Sequence, residues 1–220
     1  MTVPRTARLE DPGAELIDRG RDLWSRYGRV GLMAVGAVAV AAVLVFFVVR
    51  SRSASEDLAA SRLAEADVLY WQGEYTRSLE LARQVAQQYP STPSGLDAHR
   101  LAGDDCYWNG DFKTAVEEYR AYLARQKSGI LANAARRSLA YALESNRQYA
   151  EAATTYASLV GSFGRESSAE FLAAAARCER AAGRPAEAVR YLQRLVGEYG
   201  ETSYAGLARV LIAELSSASH

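Results

Sequence analysis

Cysteine, histidine and lysine are scarce in this sequence, and each shortage narrows what the protein can do. The two cysteines, Cys106 and Cys178, are too few and too far apart in 220 residues for a disulfide framework. They read as small buried core residues, with a single bridge between them left as an alternative. The histidines are His99 and His220, without a cysteine or second histidine at metal-ligand spacing, so no metal or cofactor is expected. The only lysines are Lys113 and Lys127, and 26 basic residues balance 26 acidic ones to a formal net charge of zero. That balance lacks the basic excess that draws a chain to nucleic acid. A phosphate-binding glycine loop, a Gly-x-Ser-x-Gly elbow and a zinc-protease helix motif are all missing. The adjacent carboxylates Asp104 and Asp105, or Glu117 and Glu118, would point about 100° apart on a helix, so they form no acid–base pair. An enzyme is not expected.

What the sequence does contain is one long apolar run. Val30 to Val49 carries no charged or strongly polar side chain. At roughly 1.5 Å per residue such a helix spans roughly 30 Å, the thickness of a bilayer's hydrocarbon core. Arg29 and Arg50 bracket it, and Trp24 and Tyr27 precede it as interfacial aromatics would. The run is longer than a signal-peptide core, and Arg50, Ser51 and Arg52 follow it without a small-x-small cleavage site. An uncleaved anchor is the expectation. Arg19, Arg21, Arg26 and Arg29 lie before it and Arg50, Arg52 and Arg62 after it, a bias toward a cytoplasmic N-terminus. Leu16, Ile17, Leu23 and Trp24 share one helical face. That segment either lies along the membrane surface or continues straight into the span. Ala37 and Ala41 form a small-xxx-small pair open to a second helix.

Beyond Ser51 the pattern changes to amphipathic helices broken by short turns. Leu69-Tyr70-Trp71-Gln72-Gly73-Glu74-Tyr75 aligns with Cys106-Tyr107-Trp108-Asn109-Gly110-Asp111-Phe112, 37 residues apart (110 − 73). Weaker copies follow at Ser145 to Tyr149 and at Ala182 to Pro185. A fixed period of this size marks stacked helix–turn–helix units. In the second copy the helices are expected over Asp97 to Trp108 and Phe112 to Arg125. Tyr204 to Leu215 reads as a final capping helix.

These residues resemble the tetratricopeptide repeat (TPR) family. Its motif sets a small residue in helix A, a turn glycine, an aromatic, then alanine and another aromatic in helix B. The second copy has Gly103, Gly110, Phe112, Ala115 and Tyr119. The third has Ala140, Tyr149, Ala152 and Tyr156, with Arg147 at the glycine position. The fourth has Ala176, Gly183 and Ala188, with Pro185 and Leu192 at the aromatic positions. The first has Ala66, Gly73 and Tyr75, with Ser78 in place of alanine. The expected fold is all-α: one transmembrane helix, a TPR-like α-solenoid of about four repeats, and a C-terminal cap. The domains are then 1–29 juxtamembrane, 30–49 anchor and 50–220 repeats, with units near 58–92, 95–129, 132–165 and 168–201 and a cap at 203–216.

In that family the concave face is lined mainly by the A helices. Carried onto this chain, the resemblance places Asp67, Tyr70, Trp71, Arg100, Asp104 and Tyr107 on or near a groove. Trp108, Arg137, Tyr141, Arg177 and Arg180 join them. Aromatics mixed with arginine are the composition of protein-binding hot spots. The same Tyr-Trp pairs could instead pack between repeats. The order of parts, with links such as Tyr89-Pro90-Ser91, resembles the YfgM-type ancillary proteins of the bacterial inner membrane. That resemblance implies a periplasmic repeat domain, a bilayer-spanning segment at 30–49, and partners among translocon or envelope-chaperone components. The alternative is a structural or assembly subunit of a larger membrane complex.

Overall fold

The computed structural model describes residues 12–217; residues 1–11 and 218–220, His220 among them, lie outside the described residues, as do the side chains of Leu16, Arg19 and Leu23. The described residues form nine α-helices and no strand: α1 Pro12–Trp71, α2 Tyr75–Gln88, α3 Pro93–Trp108, α4 Phe112–Arg125, α5 Ile130–Ser145, α6 Tyr149–Ser158, α7 Arg165–Ala181, α8 Pro185–Glu198 and α9 Tyr204–Ser217. The chain divides into two compact units, Met1–Ser53 and Ala54–His220.

The first unit holds a long apolar helix, as the sequence predicts. Every side chain from Val30 to Val49 is exposed, and the helix is long and apolar enough to cross a membrane. Of the two readings of the segment before that run, the continuous one is found. α1 is one helix of 60 residues. Pro12 sits in its first turn, where a missing N–H is tolerated, and no proline follows to stop it. Gly20, Gly28, Gly31 and Gly36 lower helix propensity by about 1 kcal/mol each relative to alanine without ending the helix.

The second unit is built of helix pairs. The last part of α1 pairs with α2, then α3 with α4, α5 with α6, and α7 with α8. Each first helix ends in the same double hydrogen bond. Glu74 N donates to Leu69 O (3.0 Å) and Gly73 N to Tyr70 O (2.9 Å). Asp111, Gln148 and Arg184 repeat the longer bond to Cys106, Leu143 and Glu179 at 2.8–2.9 Å. Such a stop needs a left-handed residue. Gly73, Gly110 and Gly183 supply it with φ of 80, 80 and 73°.

The third stop uses Arg147, the one non-glycine residue with positive φ (60°) among those described. A side chain there costs about 1–2 kcal/mol. Glycine relieves that strain but adds unfolded-chain entropy, which offsets about 0.5–1 kcal/mol. Arg147→Gly is therefore expected to stabilise the fold by about 0.5–1 kcal/mol, read as a rise in Tm of a few degrees.

α3 begins at Pro93, four residues before the expected Asp97. The cap explains the difference: Thr92 Oγ1 accepts from Gly95 N at 2.9 Å, with proline in the first turn. The small positions of the A helices behave as helix crossings require. Ala66 and Ala140 are fully buried, and Ala176 nearly so. A methyl added at Gly103 would come within 2.7 Å of the buried Tyr119 ring. Ala115, Ala152 and Ala188 of the B helices are likewise fully buried. Successive A helices are tied at their starts. Glu56 accepts from Ser94 N (3.1 Å) and Ser94 Oγ (2.7 Å), and Glu166 accepts from both groups of Ser203. α9 closes the stack by burying Ala205 and Ala208 against Leu192 and Leu195 of α8. Cys106 and Cys178 are both free and buried in the core, where burial pushes each thiol up to about 12.

Candidate protein-interaction groove

The A helices end together, so their last turns bring the Tyr-Trp pairs of the first two repeats side by side. Each dipeptide straddles two faces of its helix. Tyr70 and Tyr107 turn inward and are half-buried, whereas Trp71 is 83% and Trp108 58% exposed. Trp108 Nε1 donates to Tyr70 Oη at 2.9 Å, linking α3 to the end of α1. The Tyr75 ring lies nearly parallel to Trp108, 6.0 Å between centroids.

Behind this rim is a cavity of about 170 Å³. Tyr70, Asp104, Tyr107, Trp108 and Tyr141 line it, five of the predicted positions, together with Tyr119 and Ser138. Asp104 forms its base. Tyr119 Oη donates to Asp104 Oδ1 at 2.6 Å and Arg100 Nη1 to Oδ2 at 2.9 Å. Burial pushes the Asp104 carboxyl above its ordinary range, although both bonds oppose that shift. Arg100 forks onto Asp97 with bonds of 2.8 and 2.9 Å, and that bonding raises its pKa. Asp67 lies close enough to feel the Arg100 charge, and burial raises its carboxyl too.

Arg137, Arg177 and Arg180, also predicted for the A-helix face, do not line this cavity. Arg137 is exposed, its guanidinium 5.7 Å from the centre of the Phe163 ring. Arg177 and Arg180 line a second cavity of about 350 Å³ between α7, α8 and α9, with walls that include Leu192, Tyr204, Leu207 and Leu211. Arg177 donates to both oxygens of Glu144 at 2.7 and 2.8 Å, and Glu144 also accepts from Tyr156 Oη at 2.9 Å. Burial of Glu144 works against ionisation, but these bonds outweigh it and hold the carboxyl below its usual range. Arg180 is exposed, with no ion pair among the described residues. Sequence reasoning gave Tyr119 as the helix B aromatic of its repeat and not as a groove residue; its ring is buried, but its hydroxyl reaches the cavity base. It also missed the α9 leucines, although their four-residue spacing, Leu207, Leu211 and Leu215, was a readable signal.

Residues 63–130, 107–165 and 137–203 each match the tetratricopeptide repeat family, which covers more than half of the chain. The chain belongs to the tetratricopeptide repeat family. TPR units are protein–protein interaction scaffolds, and that coarse role follows for this chain. A crystal structure of nearly identical TPR-like repeats from a Podosopora anserina kinesin light chain, so described, is similar at 22% identity. Its TM-score is 0.57, over 75% of this chain and 88% of that one. A variant of the same repeats gives 22% identity and a TM-score of 0.57, over 75% of this chain and 87% of that one. At that identity the likeness speaks for the TPR fold alone. No match was found among the curated proteins.

Proposed function

We propose that this TPR protein is a non-enzymatic adaptor anchored in the bacterial inner membrane. Its N-terminus is cytoplasmic, residues 30–49 span the bilayer, and residues 50–220 form a periplasmic repeat domain. The observation that carries this reading is the exposure of every side chain from Val30 to Val49. The repeats bury their own apolar residues, so twenty consecutive exposed residues with none but apolar side chains call for lipid rather than water. The A-helix face, with its exposed Trp71 and Trp108, holds a segment of the partner. The resemblance to YfgM-type proteins supports components of the secretory translocon and envelope chaperones as partners, without metal or cofactor.

A second reading, a structural or assembly subunit of a larger membrane complex, is favoured by Ala37 and Ala41, whose small side chains admit a close helix. Purification from mild detergent followed by mass spectrometry separates the two. A loose set that includes secretory components supports the adaptor; one tight stoichiometric complex supports the subunit. Trp108→Ala and Arg137→Ala are expected to leave the fold intact and to cut crosslinking to the purified partner at least fivefold. Unchanged crosslinking with both variants would overturn the groove.

A further inference from the structure

We propose that the cavity bounded by Tyr70, Asp104, Tyr107, Trp108, Tyr119 and Tyr141 is a seat for one cationic side chain, a lysine or arginine of the bound partner segment. The inference rests on reading the A-helix face as the binding groove and adds the chemistry of the residue it takes. Size is the first argument. At ~30 Å³ per water, the cavity volume of about 170 Å³ equals five or six waters, room for an ammonium or guanidinium head with its last methylenes.

The walls decide the sign of charge. Five aromatic rings line the cavity, and aromatic faces attract cations by about 0.5–2 kcal/mol, more when water is excluded. Around its base Asp67, Asp97 and Asp104 gather about Arg100, three carboxylates against one guanidinium, while Glu170, Arg137 and Arg177 act on the Tyr141 wall. The strongest donors are largely committed. Trp108 gives its N–H to Tyr70, Tyr119 its O–H to Asp104, and Arg100 three of its five N–H hydrogens to Asp97 and Asp104. An anion entering here meets the Asp104 carboxylate at the base. An alkyl group fills the space but leaves Asp104 desolvated without a new partner. A cation meets ring faces and an acidic base, and restores to Asp104 the solvation that burial removed. The second cavity, with exposed Arg177 and Arg180 in its wall, repels the same group. The cationic residue therefore goes to the first three repeats.

The test uses the full chain in detergent, with Trp24→Phe and Trp71→Phe so that Trp108 is the only indole of the three tryptophans. Its fluorescence is titrated at fixed ionic strength with capped pentaglycine peptides carrying lysine, arginine or norleucine at the centre, and with tetramethylammonium chloride. Lysine and arginine peptides are expected to bind saturably and at least tenfold more tightly than the norleucine peptide. Asp104→Asn and Tyr141→Leu, each checked for unchanged helicity, are expected to erase that preference. Equal binding of the norleucine peptide overturns the cationic seat while leaving the groove standing. Tetramethylammonium binding as tightly as the peptides overturns the partner side chain as the occupant. No saturable change with any probe overturns the seat, and the groove is then judged separately by the Trp108→Ala and Arg137→Ala crosslinking.

Discussion

Between about pH 4 and pH 7 the protein is expected to lose stability as pH rises, and Asp105→Asn is expected to remove most of that loss. The reason is a count of protons. Ser78 Oγ lies 3.0 Å from Ala66 O and 2.8 Å from Asp105 Oδ2, and all three groups are buried. A serine hydroxyl has one hydrogen, and a backbone carbonyl only accepts. Both contacts are satisfied when Ser78 donates to Ala66 and Asp105, protonated, donates to Ser78. Asp105 Oδ1 has no partner among the described residues, a position a neutral acid tolerates better than a carboxylate. Burial pushes this carboxyl up to about 7, and the nearby Asp104 and Asp67 charges add to the effect. The folded state thus holds the proton more tightly than the unfolded chain, where the ordinary value is 3.8. The stabilisation is complete below about pH 4 and is lost as pH climbs through about 7. Three pH units correspond to about 4 kcal/mol, or a fall in Tm on the order of 10 °C. Thermal unfolding of the full chain in detergent at pH 5 and pH 8 checks this. Asp105→Asn should remove most of the difference and exceed the parent at pH 8. Parallel pH profiles for the two proteins would show that Asp105 is ionised in the fold.

The same pair shows how far periodicity carries. The four A-helix stops, and with them the all-α TPR architecture, were legible because each ends in a glycine-type turn at a regular spacing. Ser78 looked like a departure from the alanine of the other repeats, and at the level of one repeat it is. Its partner Asp105 belongs to the next A helix, 27 residues on, and a one-dimensional pattern does not show which buried hydroxyl meets which buried acid. The Tyr-Trp pairs were legible as pairs, but which member turns outward follows from the neighbouring repeat. Trp108 is held at the rim by Tyr70 and Tyr75 of the repeat before it. The helix start expected at Asp97 lies at Pro93 because the roles of Thr92 as cap and Pro93 as first-turn proline depend on the turn at Tyr89. The second cavity needed the docking of α9 on α7 and α8, a tertiary event with no local signature beyond the leucine spacing.

That turn at Tyr89 makes Gly95→Ala the most damaging glycine-to-alanine change to expect among the described residues. Inside an exposed helix, replacing glycine by alanine gains about 1 kcal/mol. Gly206 of α9 has nothing within 4 Å of an added methyl, and Gly206→Ala should show that gain. At Gly95 the sign reverses. The methyl would lie 1.9 Å from Tyr89 O and 2.7 Å from Tyr89 C. Neither atom can swing aside as a side chain would. Tyr89 O accepts from Thr92 N at 3.1 Å and from Thr92 Oγ1 at 2.9 Å, while Tyr89 N is bonded to Val85 O at 2.9 Å. Relief requires the α2–α3 link to open. The Thr92 cap is then lost, at about 1 kcal/mol, and Ala98 and Leu101 separate from the fully buried Val85. A loss of about 3 kcal/mol or more is expected, seen as a Tm several degrees below the parent while Gly206→Ala rises above it. The damage should reach the groove as well. Tyr70 comes from α1 and Trp108 from α3, and their hydrogen bond survives only while α2 holds those two helices in register. Crosslinking at Trp108 should therefore fall in Gly95→Ala even where most of the helix content remains. If it stays at the parental level, the rim is organised by α1 and α3 alone and the α2–α3 link plays no part in positioning it.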